Sequence, residues 1–205
     1  MADALAGPGW CVQSEALPPG LADALADEIE ARVACATLSP AGIGRVQDHR
    51  LRRDIRVAKT DWMTGDTAAQ RAFLDWAEAL REGLNRRLFL GLFDFEASFA
   101  AYPAGGFYDR HLDSFEGARN RIVSLVVYLN RNWQQADGGA LAVYAPNSQD
   151  DAAPIARILP RIGDAVFLLS ERIPHAVEPT HVARYAIAAW WRVNQSRADR
   201  VDPPA

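Results

Sequence analysis

The run Ile122-Val123-Ser124-Leu125-Val126-Val127-Tyr128-Leu129 decides how this chain is read. It has strand length and is dominated by β-branched and aromatic side chains, which suit a pleated, half-buried surface. Similar runs flank it: Phe95–Tyr102, Leu141–Tyr144, Ile155–Leu159, Ala165–Leu169 and Tyr185–Val193. Between them stand turn signals, namely Gly105-Gly106, Asp137-Gly138-Gly139 and Arg161-Ile162-Gly163-Asp164.

Upstream the texture changes. Leu21, Leu25, Ile29 and Val33 recur every fourth residue with acidic side chains between them, entered through Pro18-Pro19-Gly20. Phe73, Ala77, Leu80, Leu84 and Leu88 form a second apolar stripe, with Asp66 or Thr67 as N-cap. Two amphipathic helices followed by many short strands predict an α+β fold, with helices covering a sandwich or barrel.

The 205 residues are 49% hydrophobic and 23% charged, as expected of one globular domain. We assign that domain to residues 1–195 and read the polar stretch 196–205, ending in Asp202-Pro203-Pro204, as a flexible tail. The net charge of -4, with no block of Lys or Arg, argues against a nucleic-acid partner. Cys11 and Cys35 have neither disulfide-framework nor zinc spacing and read as free thiols of a reducing compartment. No signal-like start and no long apolar run are present, so the expectation is a cytoplasmic protein without a membrane span.

His111-Leu112-Asp113 sets an imidazole and a carboxylate two residues apart, on one side of an extended segment. A second imidazole from elsewhere would complete a two-histidine, one-carboxylate facial triad, a donor set that suits non-haem Fe(II) and leaves positions open. Alone, His-x-Asp is a weak signal and more often a surface turn. His175 offers the second imidazole, and nine residues later Arg184 opens the apolar run Tyr185–Val193. A guanidinium buried there needs an anion, either a dicarboxylate ligand or a neighbouring Asp or Glu. His181, in a turn after Pro179, reads as solvent-facing, and His49 sits among Arg50, Arg52 and Arg53 with no metal role. Trp133, before the Gly-Gly turn, reads as a packing residue, and the tryptophans are mostly core or pocket wall.

Several stretches together closely resemble the prolyl hydroxylases of the hypoxia-sensing type and their bacterial relatives. They are Asp54-Ile55-Arg56 with Lys59, Trp62 and Gly65, then Tyr102-Pro103 and Tyr108-Asp109-Arg110-His111-Leu112-Asp113. Arg121, Tyr128-Leu129-Asn130, Trp133, Gly138-Gly139, Pro174-His175-Ala176-Val177-Glu178-Pro179 and Arg184–Trp190 follow in order. The resemblance implies a double-stranded β-helix (jelly-roll) core with supporting N-terminal helices. It implies Fe(II) held by His111, Asp113 and His175, with 2-oxoglutarate anchored by Arg184 and Tyr128. Tyr102, Val126, Leu141, Val177 and Trp190 match positions lining that pocket, and Arg56, Arg121 and Trp62 are candidate substrate contacts.

The implied reaction is hydroxylation of a prolyl residue in a protein, to trans-4-hydroxyproline, with O2 consumed and succinate and CO2 formed. Ascorbate is an expected stimulant. The implied partner is a protein of the translation or transcription machinery. Two departures bear on that target: Val57-Ala58 replaces the family's usual Gly-Asp, and the preceding loop, Val46 to Arg53, is short and basic. Such a loop is either a solvated segment or a contact for an acidic partner. A free amino acid or other small molecule as substrate, or a sensing module that does not turn over, are the competing readings.

Overall fold

An alternation of period two runs through the long strands of the computed structural model, which describes residues 1–41, 55–114 and 120–194. In chain order its elements are α1 (Ala2–Ala6), β1 (Trp10–Gln13), α2 (Leu21–Ala34), β2 (Ser39–Pro40), β3 (Lys59–Trp62) and α3 (Ala68–Leu88). Then come β4 (Asp94–Tyr102), β5 (Tyr108–His111), β6 (Arg121–Tyr128) and a short 3-10 turn, Gln135–Asp137. β7 (Leu141–Val143), β8 (Ala156–Ile158), β9 (Ala165–Leu169), β10 (His175–Val177) and β11 (Arg184–Arg192) complete the order. The expected loop Val46–Arg53, with His49, and the expected tail 196–205 lie outside the described residues.

Among the described residues the strands form two antiparallel sheets, in the orders β1-β9-β6-β11-β4-β3-β2 and β5-β10-β7-β8. This is the expected jelly roll, with the helices on the outer face of the larger sheet. Each long strand sends alternate side chains to two different places. Val123, Leu125 and Val127 of β6, and Ile187, Ala189 and Trp191 of β11, meet Leu25, Ile29, Phe73 and Ala77 of α2 and α3. Their neighbours Tyr128 and Ala186 turn into the space between the sheets, with Val126 packed against them.

Both predicted helices form. Thr67 caps α3 by accepting a hydrogen bond from the Gln70 backbone N–H at 3.1 Å. In α2, Leu21, Leu25 and Ile29 are buried, but Val33 is 38% exposed because the last turn runs past the edge of the sheet contact. Three strands the sequence did not announce, β1, β2 and β3, extend the larger sheet at its two ends. They are short and lack a clear apolar alternation, so pairing with a long neighbour, not local propensity, makes them strands.

Candidate metal centre

β5 and β10 pair antiparallel with His111 directly opposite His175, so strand register sets two imidazoles next to one another, 4.4 Å apart and tilted by 57°. β5 ends at His111, and Asp113 follows just beyond it. Its carboxylate lies 3.6 Å from His111 Nε2 and 3.4 Å from His175 Nε2. One ligand atom from each residue falls within 4.8 Å of the others, a cluster that could hold a metal ion.

Both histidines are oriented in the same way. His111 Nδ1 lies 2.7 Å from the Asp109 carbonyl oxygen, and His175 Nδ1 lies 3.1 Å from that of Ile173. A carbonyl only accepts, so each Nδ1 carries a proton, and in the neutral imidazole Nε2 then turns its lone pair toward Asp113. Burial, reinforced by the neighbouring imidazole of His111, pushes the His175 pKa down to about 4, against the pull of Asp113. Burial would raise the Asp113 pKa, but His175, His111 and Arg121 together hold it well below the usual carboxylate range. At neutral pH the set is therefore a neutral His175 imidazole and an ionised carboxylate facing one point, as a divalent cation requires.

Arg184 opens β11 opposite Tyr102 of β4 and is 1% exposed. Its Nε donates to the Gly139 carbonyl at 2.8 Å, and its guanidinium sits over the rings of Tyr102 and Tyr128 at 5.1 and 5.3 Å. Among the described residues, no carboxylate comes within ion-pair distance, and Arg184 Nη2 and the Tyr128 hydroxyl are both buried without a partner. Burial raises the Tyr128 pKa although Arg184 opposes it, so the hydroxyl stays protonated and can donate. Two unused donors, one of them charged, are costly unless a ligand supplies the acceptor. A carboxylate fits both, and among the described residues no internal salt bridge explains Arg184 otherwise.

Leu141 and Val177 pack with Tyr102 and Tyr128 in the cluster between the sheets, and Val126 lies against it. Trp190 is 9% exposed, with its indole N–H unpartnered. The candidate substrate residues fall into two groups. Trp62 is 54% exposed, with its ring 6.3 Å from that of Trp190 and tilted by 55°, while the guanidinium of Arg121 covers the Trp190 ring at 3.7 Å and pairs with Glu96 at 2.7 Å. Arg56 stands apart, over the ring of Tyr108 at 4.6 Å.

Tyr108 is a residue the site assignment missed. Its ring stacks on His111 at 3.6 Å, nearly parallel at 17°, and burial pushes its pKa up to about 12. Residues 108 and 111 would lie on opposite faces of a regular strand. A bulge in the β5–β10 ladder brings them together, and no period-two argument could have found it. The residues set aside behave as expected. His181 is exposed, with Nδ1 2.8 Å from the Ala136 carbonyl, and Trp133 is buried and donates to the Gly138 carbonyl at 3.1 Å.

Comparison with known proteins converges on this site. The profile described as 2OG-Fe(II) oxygenase superfamily matches residues 97–192, which include both histidines, the aspartate and Arg184. A Pseudomonas putida prolyl-4-hydroxylase crystal structure is 38% identical, with a TM-score of 0.82, covering 94% of this chain and 96% of that one. The chain belongs to the 2OG-Fe(II) oxygenases, among the prolyl hydroxylases. A prolyl hydroxylase from Trichoplax adhaerens, solved with a hypoxia inducible factor peptide fragment, is 25% identical, with a TM-score of 0.77 over 93% of this chain and 86% of that one. Prolyl hydroxylase EGLN3 of Mus musculus is 33% identical over 106 residues, 51% of this chain. The oxygenase spans only 43% of that curated relative's length. Its donor set and its unpaired Arg184 and Tyr128 atoms fit the iron and the 2-oxo diacid that this superfamily is named for.

Proposed function

We propose that this protein is an Fe(II)- and 2-oxoglutarate-dependent dioxygenase that hydroxylates a prolyl residue of a protein at the trans-4 position. Residues 1–195 act as one catalytic domain. His111, Asp113 and His175 hold the iron, and Arg184 with Tyr128 holds the distal carboxylate of 2-oxoglutarate. With O2, the bound iron and cosubstrate supply the oxidising power, and succinate and CO2 leave as co-products. The protein's share is to orient and shield. Tyr102, Val126, Leu141, Val177 and Trp190 wall the cavity against water, and the His111 and His175 Nδ1–H bonds fix the ring planes.

The observation that carries this reading is the buried, unpaired pair of Arg184 Nη2 and Tyr128 hydroxyl, together with the His111, Asp113 and His175 cluster and its ionised carboxylate. At the mouth, Trp62, Arg121 and Arg56 offer aromatic and cationic surface to a polypeptide. A protein of the translation or transcription machinery, met in the cytoplasm, is the target class we favour. Ascorbate would sustain turnover by keeping the iron reduced.

The test is succinate release with Fe(II) and 2-oxoglutarate, together with a gain of one oxygen atom on a proline of a co-purifying protein. Proline-containing peptides assayed beside free proline separate a protein target from a small one. Absence of any 2-oxoglutarate decarboxylation, with or without substrate, would leave only a binding role.

A further inference from the structure

The double glycine after the 3-10 turn has no part in the chemistry described so far, yet its geometry reaches the anchor directly. Gly139 has φ of +63°, a conformation that side-chain-bearing residues adopt rarely. A Cβ there would stand 3.0 Å from Arg184 Cδ, 3.0 Å from Thr180 Cβ and 3.1 Å from Thr180 Oγ1. The same residue's carbonyl accepts the Arg184 Nε–H at 2.8 Å, the one hydrogen bond that guanidinium makes among the described residues.

Thr180 cannot yield to such a Cβ. It is fully buried, its N–H donates to the Gly106 carbonyl at 3.0 Å, its carbonyl accepts from Gly105 at 2.7 Å, and its hydroxyl donates to the Val182 carbonyl at 2.8 Å. Gly139 itself is tied by its N–H to the Pro179 carbonyl at 3.0 Å. The side left to shift is the Arg184 stem, whose hydrogen bond among the described residues is to that carbonyl and whose guanidinium lies over the rings of Tyr102 and Tyr128.

We propose that Gly139 is a positioning residue for the cosubstrate anchor. The bare Cα lets the Arg184 stem lie against the turn, and the carbonyl fixes Nε, so that Nη2 is presented to the distal carboxylate at a set depth. The inference rests on reading Arg184 as that anchor. It predicts a defect confined to one end of the cosubstrate, because the metal cluster and its imidazole orientations do not touch Gly139.

The experiment uses the full chain loaded with Mn(II), to prevent turnover, and calorimetric titration with two ligands. One is 2-oxoglutarate, and the other is 2-oxovalerate, the same 2-oxo acid chain without the distal carboxylate. In Gly139→Ala the affinity for 2-oxoglutarate falls by about tenfold or more, while affinities for 2-oxovalerate and for Mn(II) stay within about twofold. Adding Thr180→Gly removes the unyielding neighbour and restores part of the lost 2-oxoglutarate affinity. An unchanged 2-oxoglutarate affinity, or equal losses for both oxo acids, overturns the proposal. Failure of both variants to bind Mn(II) also overturns it, since the turn then serves the fold and not the anchor. A wild-type protein with no preference for 2-oxoglutarate over 2-oxovalerate would instead sink the reading of Arg184 itself, and this inference with it.

Discussion

The two interiors of this protein, one between helices and sheet and one between the sheets, are built from alternate residues of the same strands and obey different rules. On the helix side the buried polar groups that the structure pairs are well satisfied. Gln70, fully buried, donates to Glu28 at 2.6 Å and accepts from the Thr64 and Gly65 backbone, and the Trp191 indole donates to the Ala77 carbonyl. Between the sheets, Arg184 Nη2, the Tyr128 hydroxyl and the Trp190 indole N–H are buried with nothing to bond. A layer whose hydrogen bonds close contributes stability. A layer that leaves donors open spends stability to bind something.

If that division is right, mutations in the two interiors should have effects of different kinds. The largest effect is expected from His175→Ala. Succinate release should fall by more than the roughly 100-fold that loss of a partner behind a metal ligand can cost, and Mn(II) affinity should fall with it. The metal-free protein should keep its thermal midpoint, and turnover close to wild type would erase the distinction between the layers. Next is Ile187→Ala, on the helix face between the inward-facing Ala186 and Ala188. It should cost about 2–5 kcal/mol in urea unfolding while leaving the KM for 2-oxoglutarate unchanged. A shifted KM with intact stability would show that the two interiors are coupled.

Between pH 6.5 and 4, acid should act mainly on the inner layer. With the folded His175 pKa at about 4 and the ordinary value at 6.5, stability is level above pH 6.5. It falls as the pH drops from 6.5 toward 4, because the unfolded chain takes up a proton that the folded one refuses. The full loss is about 3 kcal/mol. Urea midpoints of metal-free protein at pH 7.5 and 5 measure it, and a flat profile in His175→Ala assigns it. Smallest is Tyr128→Phe. Removing an unpartnered hydroxyl should leave stability level or slightly raised, while the KM for 2-oxoglutarate rises by about the factor of five that ~1 kcal/mol represents. A fall in stability would mean that the hydroxyl is satisfied without ligand.

What could be read in advance follows the same line. The longer apolar strands β4, β6 and β11, the short runs of β7, β8 and β9, and the stripes of α2 and α3 were legible because a side chain's face follows from its place in a repeat, which is local. β5 and β10 were not legible as strands. Nor were β1, β2 and β3, since their pairing with β9, with β3 and with β4 supplies what their own residues lack. Arg184 was legible as a charge in an apolar run but ambiguous in purpose. Its missing carboxylate partner is a fact about everything around it, and no stretch of sequence records that. Tyr108 was hidden by a bulge, and Gly139 by the distance of 45 positions between it and the side chain it supports.

By itself, then, the sequence determined the fold class, the residue types available to bind a metal and a dicarboxylate, and their family resemblance. All of these depend on composition, spacing and order along the chain. Only the tertiary structure decided that β5 and β10 pair with the two imidazoles in register, that both Nδ1 protons are spoken for, and that the guanidinium is left with an open donor. Each is a matter of which groups meet across space and which go unmet. Hydrogen-bond satisfaction and desolvation belong to the whole fold and not to any one segment of it.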